Sequence, residues 1–220
     1  MLNLVKTAGW TRRDCIAGLV SCVAAGVATA APARKILVLG DSLSAEYGLA
    51  RGTGWVALLE ARLDKEKITA TVVNASISGD TTSGGRSRLA ALLAQHKPTH
   101  VVVELGGNDA LRGLPLKSTQ DNLVAIVRAA KAAGAKAMVV GMQVPPNYGA
   151  AYTRDFAALF PQVAKAEQAA LVPFLLAGIA DDADPVRWFQ PDRIHPVAAA
   201  HPRILDTVWP TLKAWLTAVA

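Results

Sequence analysis

Two short blocks at opposite ends of the chain carry residue types that can do nucleophilic chemistry as a pair. Gly40-Asp41-Ser42-Leu43-Ser44 follows the apolar run Ile36-Leu37-Val38-Leu39, which sets a hydroxyl where a buried strand stops. A serine hydroxyl is a poor nucleophile until a neighbouring base takes its proton. Asp192-Arg193-Ile194-His195-Pro196 can supply that base. An aspartate three residues before a histidine can accept from the imidazole Nδ1-H, which fixes the tautomer and leaves Nε2 free to take a proton. Taken singly, each block has a plainer reading: a serine after a strand often caps a helix, and D-x-x-H often forms a surface turn.

Two further loops have the composition of ligand-facing turns. In Asn74-Ala75-Ser76-Ile77-Ser78-Gly79-Asp80-Thr81-Thr82, small residues and a glycine let a backbone N-H approach a ligand. In Leu105-Gly106-Gly107-Asn108-Asp109, paired glycines permit a sharp turn and Asn108 can offer a side-chain amide.

The elements that must position these blocks follow from periodicity. Short apolar runs at Lys35 to Gly40, Thr71 to Asn74, His100 to Leu105, Lys136 to Met142 and Leu171 to Phe174 predict five strands buried on both faces, the pattern of a parallel sheet. Helical spacing separates them: Trp55, Leu58, Leu59 and Leu63 share a stripe, as do Leu89, Leu92 and Leu93, and then Leu123, Ile126 and Val127 behind Ser118 as an N-cap. Helices over Ala151 to Gln168 and His201 to Trp215 complete the alternation. Right-handed crossovers then give a three-layer α/β/α sandwich around a five-stranded parallel sheet, flavodoxin-like, with the common order 2-1-3-4-5. Ligands bind such sheets at the carboxyl ends of the strands, where the serine block and both loops fall.

With these blocks in this order, the chain resembles the SGNH (GDSL) hydrolases over nearly its whole length after the amino-terminal segment. The resemblance rests on G-D-S-L-S, N-A-S-I-S-G-D, V-E-L-G-G-N-D and D-x-I-H-P; L-R-G-L at Leu111 to Leu114 and P-x-N-Y-G at Pro145 to Gly149 are similar to its thioesterase and arylesterase branch. It implies Ser42 as nucleophile, His195 as general base and then acid, and Asp192 as its orienting partner. It implies an oxyanion hole from the backbone N-H groups of Ser42 and Gly79 and the side-chain amide of Asn108, with no cofactor and no metal. Leu111, Leu114, Pro115, Val144, Pro145 and Pro146 would line a groove for an acyl chain, though ordinary loop packing explains them equally well. The implied substrates are small-molecule carboxylic esters and thioesters, among them fatty acyl esters, lysophospholipids, acyl-CoA and aryl esters. A polysaccharide O-deacetylase on the same triad, or a non-catalytic lipid-binding module, is the alternative.

Three positions depart from that branch. Glu46 and Arg193 stand where glycine is usual, and Ala110 follows Asn108-Asp109 where another glycine is common. A charge at Glu46 and a stiffer loop at Ala110 are expected to reshape the acyl site. Plainer roles are expected elsewhere: His96 and His100 at a helix end or turn, His201 at a helix start, and Asp181, Asp182 and Asp184 in a solvated loop rather than around a hard cation.

The amino terminus has its own signature. Lys6, Arg12 and Arg13 precede an apolar, small-residue run from Cys15 to Ala33 that contains Ala28-Thr29-Ala30. This pattern predicts a signal peptide over residues 1–30, a hydrolase domain over 31–220, and export to the periplasm or beyond. Leu19-Val20-Ser21-Cys22 also resembles a lipobox, which would anchor the protein through Cys22, and the arginine pair loosely resembles a twin-arginine signal. Both cysteines lie before the predicted cut, so the remaining chain has no thiol and no disulfide. With 52% hydrophobic residues the chain reads as globular. Its net charge of +6 is scattered rather than clustered and aromatics are 5%, which argues against a nucleic-acid partner. Weak peripheral contact with anionic lipid is compatible with that charge, and a monomer is expected.

Overall fold

The computed structural model describes residues 34–218. The expected signal peptide, the lipobox at Cys22 and the arginine pair lie outside the described residues. Five strands, β1 (Arg34–Gly40), β2 (Ala70–Asn74), β3 (His100–Glu104), β4 (Lys136–Val140) and β5 (Ala170–Val172), form one sheet in the order β2-β1-β3-β4-β5. Every pairing is parallel. The crossovers are α1 (Trp55–Lys65), α2 (Thr82–His96), a short α3 (Gly107–Leu111) followed by α4 (Leu116–Ala132), and α5 (Ala150–Ala166), while α6 (His201–Thr217) closes the chain. Helices α1 and α6 pack together, and α4 packs against α2 and α5, giving a helical layer on each side of the sheet.

The expected sheet order holds, but full burial does not extend to its edges. β3 is buried at every position, whereas β2 is only half-buried and partly exposed, because an edge strand has a neighbour on one side only. The stripe in α1 buries Trp55, Leu59 and Leu63 as expected; of Leu89, Leu92 and Leu93, only Leu89 reaches the core. Helix α4 starts earlier than its spacing suggests. Pro115 occupies the N-cap position and Ser118 lies inside the first turn, so Ser118 is not the cap. His100 begins β3, where the predicted strand starts, and so is not a turn residue; it is buried, edge-on to Trp215 with ring centroids 4.6 Å apart. Desolvation there, with Lys136 and Arg34 nearby, lowers its pKa to about 4.

The register of β1 on β3 sets Gly40 beside Glu104 and builds a polar floor under the end of the sheet. Glu104 is fully buried, and its Oε2 accepts from the Ser44 hydroxyl at 2.7 Å and from the Asp41 N-H at 3.4 Å. Ser44 Oγ in turn accepts from the Trp55 indole at 3.2 Å, and the Trp55 backbone N-H donates to Nδ1 of the buried His201 at 3.0 Å. His201 thus opens α6, as its position suggested, and also satisfies the first N-H of α1. A Cβ on Gly40 would lie 2.8 Å from both Glu104 Oε2 and Ser76 Oγ, so no larger residue fits this position without shifting the floor.

Burial, reinforced by the neighbouring Asp41 carboxylate, pushes Glu104 well above its ordinary value of 4.5 and so favours the protonated acid in the folded protein. The unfolded chain releases that proton from about pH 4.5 upward, so Glu104 makes stability fall as pH rises from there toward its folded pKa. Glutamine is isosteric with the protonated acid and does not titrate. Urea unfolding of Glu104→Gln between about pH 5 and 8 is expected to show a shallower decline of stability with pH than the parent. An equal slope in the two proteins would mean that Glu104 does not hold the proton.

Candidate active site

Ser42 opens a single turn at the end of β1. The Asp41 carbonyl accepts from the N-H groups of Ser44 at 3.2 Å and Ala45 at 2.9 Å, while Asp41 Oδ1 accepts from the Leu43 N-H at 3.0 Å. The side chain of Asp41 thereby caps the turn from below and leaves Ser42 facing out. Among the described residues the Ser42 N-H has no hydrogen-bond partner.

His195 reaches Ser42 from a hairpin-like loop after β5. Gln190 N-H donates to the His195 carbonyl at 2.7 Å, Val197 N-H to the Trp188 carbonyl at 2.9 Å, and Phe189 and Pro196 form an antiparallel bridge. Within the loop Asp192 acts twice. Its Oδ1 accepts from the backbone N-H groups of Ile194 at 2.9 Å and His195 at 3.0 Å, and its Oδ2 lies 2.6 Å from His195 Nδ1. His195 Nε2 then lies 2.8 Å from Ser42 Oγ. Some desolvation raises the Asp192 pKa, but the backbone N-H and imidazole of His195 and the N-H of Ile194 outweigh it and hold the carboxyl at about 2. The three predicted residues therefore form one continuous relay.

The other two loops arrive on either side. Asp80 N-H donates to the Ile77 carbonyl at 3.0 Å, and Gly79 has φ of 79°, so Ile77 to Asp80 is a turn whose third position requires a left-handed residue. Like Ser42, Gly79 has no partner for its N-H among the described residues. The α3 helix carries Asn108, whose Nδ2 donates to Asp41 Oδ2 at 3.0 Å. An amide nitrogen has two hydrogens, so one is held by Asp41 and the other is available. Burial pushes Asp41 up to about 6, against the lowering effects of the Leu43 N-H, the Asn108 amide and His195.

Several groups that shape this site have no motif to announce them. Gln190 Nε2 donates to the Tyr47 carbonyl at 2.9 Å and the Pro196 carbonyl at 3.1 Å, stapling the histidine loop to the turn after Ser42. The half-exposed Tyr47 ring lies 4.3 Å from the His195 ring, between centroids. Asn74 Nδ2 donates to the Ser44 carbonyl at 2.7 Å while its Oδ1 accepts from Ser76 N-H, tying the serine turn to the Gly79 loop. The only sequence hint for Gln190 and Tyr47 was proximity to His195 and Ser42.

The departures from glycine acquire a backbone meaning. Glu46 has φ of 60° and Arg193 of 57°, both left-handed, which is why glycine suits these positions. The Glu46 carboxylate is engaged within its own loop, accepting from Gly52 N-H at 2.9 Å and Gly54 N-H at 2.8 Å. It also borders a cavity of about 450 Å³ with Ala45, Leu49, Arg51, Asn74 and Ser76. Ala110 is buried in α3 and belongs to the core.

Leu111, Leu114 and Pro115 follow α3, and Val144, Pro145 and Pro146 follow β4, all past the carboxyl ends of the strands. Leu111 is half-exposed, and Val144 is buried with the core. In the acidic loop, Asp182 accepts from Asp184 N-H and Trp188 Nε1 and pairs with Arg187 and Arg203, so its charge is already answered by protein groups. Among the described residues, no group of three or more His, Asp or Glu side chains is placed to hold a metal ion, and no helix is long and apolar enough to cross a membrane.

Known proteins resemble this chain in sequence and fold along most of its length. The chain is 51% identical over 186 residues to esterase TesA of Pseudomonas aeruginosa, a span of 84% of this chain and 91% of that one. It is 45% identical over 177 residues to thioesterase 1/protease 1/lysophospholipase L1 of Escherichia coli K12, 80% of this chain and 82% of that one. A crystal structure of TesA superposes with a TM-score of 0.78 over 82% of this chain and 98% of that one. The psychrotrophic esterase EstA from Pseudoalteromonas sp., solved with monoethylphosphonate as inhibitor, matches at 43% identity with a TM-score of 0.78 over 84% of this chain and 100% of that one. Residues 38–203 match the model of the GDSL-like Lipase/Acylhydrolase family, and the chain belongs to that family.

Proposed function

We propose that this protein hydrolyses carboxylic esters and thioesters through an acyl-enzyme on Ser42. The observation that carries the reading is the relay of 2.6 Å and 2.8 Å from Asp192 through His195 to Ser42 Oγ. His195 Nε2 takes the hydroxyl proton as Ser42 Oγ attacks the carbonyl carbon, then passes it to the departing alcohol or thiol. Water attacks the acyl-enzyme with the same histidine as base, releasing the acid and restoring Ser42. Asp192 holds Nδ1-H and favours the imidazolium that forms in each half-reaction. The unpartnered N-H groups of Ser42 and Gly79 and the second hydrogen of Asn108 Nδ2 form the oxyanion hole, where each donor acts as negative charge develops.

The substrates favoured are esters and thioesters of aliphatic acids, including lysophospholipids, because the chain's relatives are esterases, a thioesterase/lysophospholipase and an arylesterase. Tyr47 against the His195 ring and Leu111 at the end of the helix that carries Asn108, both half-exposed, offer apolar surface to an acyl chain. Residues 1–30 act as an export signal, on the strength of the basic start, the apolar run and the small-residue triplet at Ala28 to Ala30.

Ser42→Ala is expected to abolish hydrolysis of p-nitrophenyl esters and of acyl-CoA, and to prevent labelling by a fluorophosphonate, with the fold retained by circular dichroism. Hydrolysis at the parent rate would remove Ser42 from the mechanism. In the parent, p-nitrophenyl decanoate should be cleaved at least as efficiently as the acetate; a strong preference for acetate, together with release of acetate from acetylated glycan, would replace the acyl-chain reading by a deacetylase.

Asn108→Ala is expected to lower kcat by about 10²-fold or more with KM little changed, since its amide bonds the oxyanion rather than the ground-state carbonyl. A rise in KM at constant kcat would make Asn108 a substrate-binding residue instead.

A further inference from the structure

We propose that Arg112 is a positioning residue that fixes the spacing between the two loops of the oxyanion hole. The inference rests on the reading given above. Arg112 is the first residue after α3, and its backbone N-H donates to the Asn108 carbonyl at 3.1 Å, so its backbone moves with Asn108. Its side chain crosses to the Gly79 loop, where Nη2 donates to the Gly79 carbonyl at 2.7 Å. One residue therefore grips, by its two ends, the residue that supplies the amide and the residue that supplies an N-H.

A second tie runs beneath the first. The buried Asp109 carboxylate accepts from the backbone N-H of Thr82 at 2.8 Å and from the Thr82 hydroxyl, holding the start of α2 against α3. The Gly79 turn enters α2 directly, so Asp109 fixes its base, and the Ile77 N-H, donating to the Gly40 carbonyl at 3.0 Å, fixes its first residue to the end of β1; the side that carries Gly79 itself is held by Arg112. The turn has a left-handed glycine at its third position, and the isoleucine at its first, Ile77, leaves its side chain exposed rather than packed. Arg88 bonds the Ala75 carbonyl and Asp80, on either side of the turn's tip, and its guanidinium reaches the Gly40 carbonyl rather than Gly79. Movement of a donor by about an ångström is enough to lose a large part of its effect on rate.

Two roles for Arg112 are separable. A clasp acts on every substrate alike and in the transition state, whereas a guanidinium that binds an anionic part of the substrate acts only where that part exists. Arg112→Ala should therefore lower kcat about tenfold for p-nitrophenyl butyrate, for acyl-CoA and for a lysophospholipid alike, with KM within about twofold in each case. The bond is exposed, so the melting temperature should stay within about 3 °C of the parent. Added guanidinium at sub-denaturing concentration should recover part of the lost kcat in Arg112→Ala and none in Asn108→Ala. An unchanged kcat would overturn the proposal. So would a KM increase confined to the two phosphate-bearing substrates, which would make Arg112 a substrate contact, or a loss of rate that tracks a lowered melting temperature. Loss of activity on Ser42→Ala in the same assays keeps a failure of the clasp distinct from a failure of the nucleophile assignment.

Discussion

The site depends on the parallel register of β1 with β3. Pairing Gly40 with Glu104 decides where the first strand ends, what lies beneath that end, and how close the Asn108 loop can come. Without a side chain at Gly40, the Glu104 carboxyl and the Ser44 hydroxyl close under the serine turn, and Asp41 is held between that floor and Asn108. Two acids so near one another cannot both be charged at low cost, and full burial favours the neutral form at Glu104. The remaining charge is left to Asp41, which faces the amide that it orients.

The histidine reaches this floor by a different kind of support. His195 sits on a loop held by backbone bonds across its own neck, by Asp192, and by Gln190, with no strand or helix of its own. The sheet thus supplies a rigid nucleophile end, and short-range hydrogen bonding brings the base to it. That division explains why Asp192 can serve as both a turn-forming residue and an electrostatic partner: its two oxygens do the two tasks separately.

Much of this was legible from residue order. Continuous apolar runs located all five strands to within one or two residues at most ends, and G-D-S and D-x-x-H located the two ends of the relay. What stayed hidden depends on tertiary neighbours. The expected order 2-1-3-4-5 already put β2 at an edge, but its apolar composition read as burial on both faces, and the exposure of an edge strand does not show in residue type. Ser118 looked like a cap because its residue type suits one, while the chain turned into α4 already at Pro115. His100, a polar residue at the head of an apolar run, went to the core because Trp215 offers it an aromatic edge. Glu46 and Arg193 were visible as substitutions for glycine, but their meaning, left-handed backbone rather than a charge aimed at the substrate, required φ angles.

The staple made by Gln190 has a consequence for how the protein fails. Trp188, Phe189 and Val197 at the neck of the loop pack on the core, but its tip from Pro191 to Ile194 is exposed and held by single hydrogen bonds. Such a segment opens at lower free energy than the sheet beneath it. The temperature at which turnover stops is therefore expected to follow the bonds at this tip, and to lie no higher than the temperature at which the five strands part.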